Sequence, residues 1–283
     1  MNPLLLELNK VFFNSTRSLD VLYVMRGIKK TARLDAADHE IKGIYSFCET
    51  HGLHCETSDF KVAKIADEGK NNFSNKAKRV SAAYPGRGLF HLYIAKKKAA
   101  CSFLKLLEHK NDDRAVGELL GYPGCCIDFF LQHQKNQELE QYDFILPALA
   151  NSEGFTFPFY NNYAIRYFDI SLLSHFPHDF ICKESRKIAE KRLQCIDELD
   201  PLLAEKCKEM LKGAVLYTEH NGVFMLRNPV LENNAVSFSK VMATADNELL
   251  RTLKATMSIT VEDSRGVYLN DQRIPRSGFM LFQ

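Results

Sequence analysis

Ala214-Val-Leu-Tyr-Thr-Glu-His-Asn221-Gly222-Val-Phe-Met-Leu-Arg227 is the stretch that decides the fold. Two runs of β-branched, aromatic and apolar residues flank Asn-Gly, the dipeptide that most readily takes the positive φ angles of a tight hairpin turn. The pattern predicts an antiparallel hairpin of Ala214–Thr218 and Val223–Arg227. Beyond it, Ala235–Ala243, Thr256–Val261 and Gly266–Leu269 read as further strands, with Asp246–Leu253 as a helix among them. Before it, residues 182–198 and 201–212 have helical spacing, as do 96–110, a segment capped at Asp112 or Asp113 and ending at Leu120, and one running to about 135. Residues 147–163 read as loop. Towards the N-terminus, helices are expected over 4–30 (with a new cap at Asn14-Ser15 or Ser18) and 36–50. Strands are expected at His54–Thr57, Phe60–Ile65, Arg79–Ala83 and Leu89–Ala95, with a polar loop over 68–78. Strands and helices in separate runs indicate an α+β fold. Its expected parts are a mixed N-terminal α/β unit (1–110), a helical centre (111–213) and a C-terminal antiparallel sheet (214–283), all of which could also form one domain.

Composition narrows the function classes. Of the 283 residues, 46% are hydrophobic and 25% charged, which is ordinary for a globular chain and unlike a disordered or collagenous one. No apolar run approaches the ~18 residues that span a bilayer. Lys and Arg number 37 against 35 Asp and Glu, so net charge gives no nucleic-acid signal. The first residues lack a basic n-region and a small-residue cleavage site, so the expected compartment is the cytoplasm. There the eight cysteines are expected as thiols, most of them buried.

Two strings stand apart. Gly121-Tyr122-Pro123-Gly124-Cys125-Cys126 precedes an apolar helical pattern. Proline suits the first turn of a helix. Both cysteines then fall in that turn, where the dipole and unpaired N–H groups favour thiolate, the form that binds metals and attacks electrophiles. Neighbouring helical residues diverge by about 100°, so one sulfur is expected to face a site and the other to pack in the core. The second string, Ser174-His175-Phe176-Pro177-His178-Asp179-Phe180-Ile181-Cys182, concentrates two imidazoles and a thiol. His178 and Cys182 share a face if the segment is helical. Together, Cys125, Cys126, His175, His178 and Cys182 supply the ligand types that zinc or iron favours, and Asp128 and Asp179 could orient an imidazole. The same groups also permit a metal-free Cys–His nucleophile pair, with Asn161 or Asn162 orienting the histidine.

These strings, with the Asn-Asn segment between them, resemble a prokaryotic domain-of-unknown-function family, number 483. Its members carry L-G-Y-P-x-C-C and a later S-H-x-P-C-x-x-x-C. The resemblance covers residues about 85–200. His178 stands where the family pattern usually has cysteine. That exchange keeps metal competence but removes a thiol, so it suits a metal site better than a thiol relay. The family name implies no reaction.

Other features have sufficient structural reasons. His51-Gly52-Leu53-His54-Cys55 spans a helix end and a strand start. Lys96–Lys98 is a solvated helix start. Pro85–Gly88 precedes a strand and is not a phosphate loop, and no nucleotide motif occurs. Cys48, Cys101, Cys195 and Cys207 sit on apolar stripes. Glu118, Tyr122 and Arg166 are near the two strings in sequence and are candidates to contact a substrate. The leading expectation is an enzyme with a Cys/His metal–thiolate site, zinc or iron, acting on a small molecule, with Asp128 or Glu118 moving protons. The alternatives are a structural-zinc interaction module and a metal-free cysteine enzyme.

Overall fold

The computed structural model describes residues 2–64, 76–135 and 143–283. The expected loop over 68–78 lies outside them up to residue 75, as does Ile65. The fold is α+β, and the chain divides into two compact units. Among the described residues the first unit holds 2–64, 76–135 and 191–203, and the second holds 143–190 and 204–283.

The first unit opens with α1 (Pro3–Phe12) and α2 (Ser15–Met25). The helical stretch breaks at Asn14-Ser15, one of the two places expected, where Phe13 turns left-handed and Asn14 caps α2 by accepting from the Arg17 N–H. Next come β1 (Thr31–Ala36), which the sequence reading missed, then α3 (Asp38–Thr50) and β2 (His54–Lys64). β2 joins the two strands expected there across a bulge between Thr57 and Lys61. β3 (Ala77–Ser81) and β4 (Leu89–Ala95) complete an antiparallel sheet in the order β1-β4-β2-β3. Strand alternation gives that sheet two apolar faces. Tyr93 and Ala95 pack with Cys101, Leu104 and Leu107 of α4 (Lys98–His109) and with Val116 of α5 (Asp113–Leu119). Leu92 and Ile94 take the other face, and α2 and α3 contact β4. α6 (Gly124–His133) follows α5.

Glu108 of α4 is buried and receives both contacts of the Arg33 guanidinium, at 2.9 and 3.1 Å, with Arg79 at 3.6 Å. Burial pushes its carboxyl up, but the nearby His91 imidazole, 3.7 Å away, and the Arg33 guanidinium outweigh burial and hold it at about 2. A depressed carboxyl stabilises the fold above its unfolded value, near 4.5, and loses that contribution as pH falls towards 2. The shift corresponds to about 3 kcal/mol at most. Urea unfolding at pH 5 and pH 3 should show that loss in the wild type. Glu108→Gln should be less stable at pH 5 and should have a shallower acid slope. An unchanged slope would remove Glu108 as its source.

The second unit contains α7 (Ile145–Ala150), in part of what reads as loop, and the short β5 (Thr156–Phe157). α8 (Lys183–Leu199) contributes its first half here and its second half to the first unit. After α9 (Pro201–Leu211) the chain turns to strands. β6 (Gly213–Thr218) and β7 (Gly222–Arg227) form the expected hairpin, closed by the Thr218 hydroxyl donating to the Gly222 carbonyl at 2.8 Å. The single strand expected over 235–243 is two. After β8 (Val230–Glu232), β9 (Ala235–Ser237) joins one sheet and β10 (Lys240–Ala243) another. The remaining elements are α10 (Glu248–Thr256), β11 (Ser258–Val261), β12 (Val267–Leu269), β13 (Gln272–Arg273) and β14 (Ser277–Phe282). The sheet orders are β10-β7-β6-β14-β5 and β13-β12-β11-β9-β8, and every pairing is antiparallel except β14 with β5. Leu216, Phe224 and Phe279 of the first sheet share a core with Val236, Ile259 and Val267 of the second and Leu253 of α10.

Candidate metal centre

Each half of the candidate site is explained by its local sequence. Gly121 ends α5. Its φ of +78° is open to glycine, and the Tyr122 N–H reaches the Gly117 carbonyl while the Gly121 N–H reaches that of Glu118, as in a Schellman turn. Pro123 then caps α6, its carbonyl accepting from the Cys126 and Ile127 N–H groups at 3.0 Å. Cys125 and Cys126 therefore occupy the first turn of α6, at the positive end of its dipole. Their sulfurs are 4.0 Å apart, neither is in a disulfide, Cys125 is exposed and Cys126 is buried.

The second half precedes α8. Its segment is built of turns rather than helix as far as Cys182, so His178 and Cys182 come together by turn geometry and not by the helical spacing expected. Cys182 is buried, and its Sγ accepts from the Ser185 N–H at 3.4 Å at the start of α8, a contact that favours thiolate. The His178 Nε2 is 2.9 Å from an Asp179 carboxylate oxygen. Burial raises the Asp179 carboxyl above its ordinary range, against the opposing pull of His178.

One ligand atom from each of Cys125, Cys126, His178 and Cys182 lies within 4.8 Å of the other three. Around a tetrahedral zinc, bonds of about 2.3 Å to sulfur and 2.0–2.1 Å to nitrogen set ligand atoms roughly 3.5–3.8 Å apart. The set is a Cys3His group that could bind a metal. Both vicinal sulfurs belong to it, as the ligand set read from the sequence has them, although one of the two was also expected to pack in the core. Their burial diverges as the 100° step requires, but a 4.0 Å separation lets both reach one ion.

The remaining candidates lie elsewhere. His175 is outside this set. It is buried, and its Nε2 pairs with the Ser185 hydroxyl at 2.9 Å, one residue removed from the Cys182 sulfur. Asp128 is exposed and ion-paired with Arg114. Glu118 is exposed on α5, and Tyr122 packs against the α4–α5 core. Arg166 is no surface group awaiting substrate. Its guanidinium lies 4.6–4.7 Å from the ring centres of Tyr163, Tyr167 and Phe176, bonds both tyrosine hydroxyls and pairs with the buried Asp143.

Asn161 and Asn162 are buried and hold backbone rather than a histidine. The Asn161 Nδ2 donates to the carbonyls of Phe180 and Cys182, both at 3.1 Å, and that of Asn162 donates to Leu211 at 2.7 Å. Asn161 therefore positions the cysteine through its main chain. The Asn-Asn pair was visible in the sequence, but the carbonyls it would hold were not. Asn161→Ala is expected to cost about 2 kcal/mol, two amide bonds in a buried site. It should also weaken metal binding tenfold or more, the usual cost of losing an outer support. Chelator competition alongside thermal melting checks both effects, and unchanged metal affinity would confine Asn161 to stability.

Among the described residues, no helix is long and apolar enough to cross a membrane. No protein-family model, curated protein or solved structure matches this chain.

Proposed function

We propose that this is a zinc protein whose Cys125, Cys126, His178 and Cys182 form a closed Cys3His site of the structural kind. One observation carries the reading: four protein ligands, three thiols and an imidazole, lie within 4.8 Å of one another. Four protein ligands are typical of structural zinc, whereas catalytic zinc usually keeps one position for water or substrate. The spacing also favours a single ion over an iron–sulfur cluster, whose thiolates bind different irons and stand further apart. The His178 Nε2 beside the Asp179 carboxylate suits a carboxylate–histidine–metal arrangement in which the other ring nitrogen would take the metal.

The exposure of Cys125 supports a second reading, an enzyme acting on a small molecule. There a metal-bound thiolate, or a site opened by release of Cys125, meets the substrate, and Glu118 or Asp128 moves protons.

Elemental analysis and the absorption spectrum of untagged protein test the metal. The proposal expects one zinc per chain and no visible chromophore. An iron–sulfur spectrum would replace zinc with iron. Absence of metal together with an alkylation-sensitive Cys125 would favour metal-free cysteine chemistry. Cys125→Ser separates the two zinc readings. A closed site should release zinc faster in this variant, whereas a site that opens at Cys125 should retain it.

A further inference from the structure

The second unit contains a cavity of about 600 Å³ that has no part in the metal centre. That is a usual size for a small-molecule site. Its lining draws on distant parts of the chain. α7 supplies Leu146, Pro147 and Ala150, β6 supplies Tyr217, and the turns and short strand between β11 and β14 supply Arg265, Arg273 and Arg276.

The charges are not balanced within the cavity. Glu219 pairs with Arg276 at 2.9 Å. Asp143 is occupied by Tyr167, Arg166 and the Ile145 N–H. Arg265 and Arg273 make no close ion pair among the described residues, and the carboxylate they share by charge is the exposed Asp263, outside the lining. The nearby Asp263 commits its Oδ1 to the backbone N–H groups of Arg265 and Gly266. Two exposed guanidinium groups thus border a cavity whose own carboxylates are already partnered. Burial raises the Tyr217 phenol well above its ordinary value, so it stays protonated there.

We propose that this cavity binds a small molecule bearing a phosphate group, with Arg265 and Arg273 on the phosphate and Leu146, Pro147 and Ala150 against an apolar or aromatic body. A guanidinium offers a planar fork of donors that matches phosphate oxygens. A phosphate monoester carries about −1.5 to −2 at neutral pH, which answers two arginines, whereas a single carboxylate answers one. The apolar wall from α7 separates a ligand with a body from a bare anion. The proposal does not rest on the zinc reading.

Calorimetric titration of the full chain with phenyl phosphate, inorganic phosphate and phenol tests it. Saturable one-to-one binding of phenyl phosphate is expected, tighter than either fragment alone. Arg265→Gln with Arg273→Gln should weaken it about tenfold or more at unchanged melting temperature. Ala150→Glu, which adds a negative charge to the lining contributed by α7, should weaken it too and serves if the double variant folds poorly. Three results would overturn the proposal: no saturation by about 10 mM, where affinity is negligible; equal affinity for phenyl and inorganic phosphate; or binding unchanged in both variants.

Discussion

Cys182→Ala is expected to abolish metal retention, lowering metal from about one per chain to near zero after dialysis against a weak chelator. Loss of a thiolate from a four-ligand zinc site removes one of the strong bonds that give such sites roughly 10–16 kcal/mol of binding free energy. Cys195→Ala is the control. Cys195 is equally buried, lies on α8 and is outside the cluster, so it should keep full occupancy. His175→Ala separates the geometry from the bare sequence pattern. Reading the sequence alone, His175 is a ligand whose loss abolishes binding. Its placement behind Ser185 predicts retained metal with weakened affinity. Full loss in the His175 variant, with retention in the Cys182 variant, would reverse the assignment.

Arg166→Leu is expected to destabilise the protein by about 3–5 kcal/mol, because it leaves the Asp143 carboxylate buried without its cation. Three aromatic rings lose their shared partner as well. For a unit of this size, that is a fall of roughly 10 °C in melting temperature. Removing both charges in Arg166→Leu/Asp143→Leu should recover part of the loss, since an apolar pair carries no desolvation penalty. A melting temperature within about 1 °C of wild type in Arg166→Leu would show that the cage contributes no stability.

Local chemistry made part of the fold legible. The Asn221-Gly222 signal specified the β6–β7 hairpin because turn conformation is a local property. The Leu89–Ala95 strand was legible because a short apolar run bounded by turn residues has few alternatives. β14 was invisible although it lies inside its sheet between β6 and β5. Its Ser277-Gly278-Phe279-Met280-Leu281-Phe282 run is almost wholly buried and shows no alternation. Gly278 is there because a Cβ would fall 2.5 Å from Leu149 Cδ2, a tertiary constraint with no local trace. β9 and β10 read as one strand because the switch between sheets at Phe238-Ser239 is set by hydrogen bonds to Met257 and Arg227. The return of residues 191–203 to the first unit follows no shift in composition.

The candidate site was legible to a similar extent. Residue types marked Cys125, Cys126, His178 and Cys182, since a proline-capped helix start beside two thiols has a recognisable chemistry. Which of two nearby histidines turns its nitrogen inward depends on a proline-containing turn, and spacing does not encode that choice. The positioning role of Asn161 depends on carbonyls nineteen and twenty-one residues away.

X-ray absorption at the metal edge of the purified wild-type protein tests the central claim most directly, because it counts ligand atoms around the ion. The expected result is a zinc edge with three sulfurs at about 2.3 Å and one imidazole nitrogen at about 2.0–2.1 Å. A shell of nitrogen and oxygen alone would contradict it, as would an edge showing no bound metal.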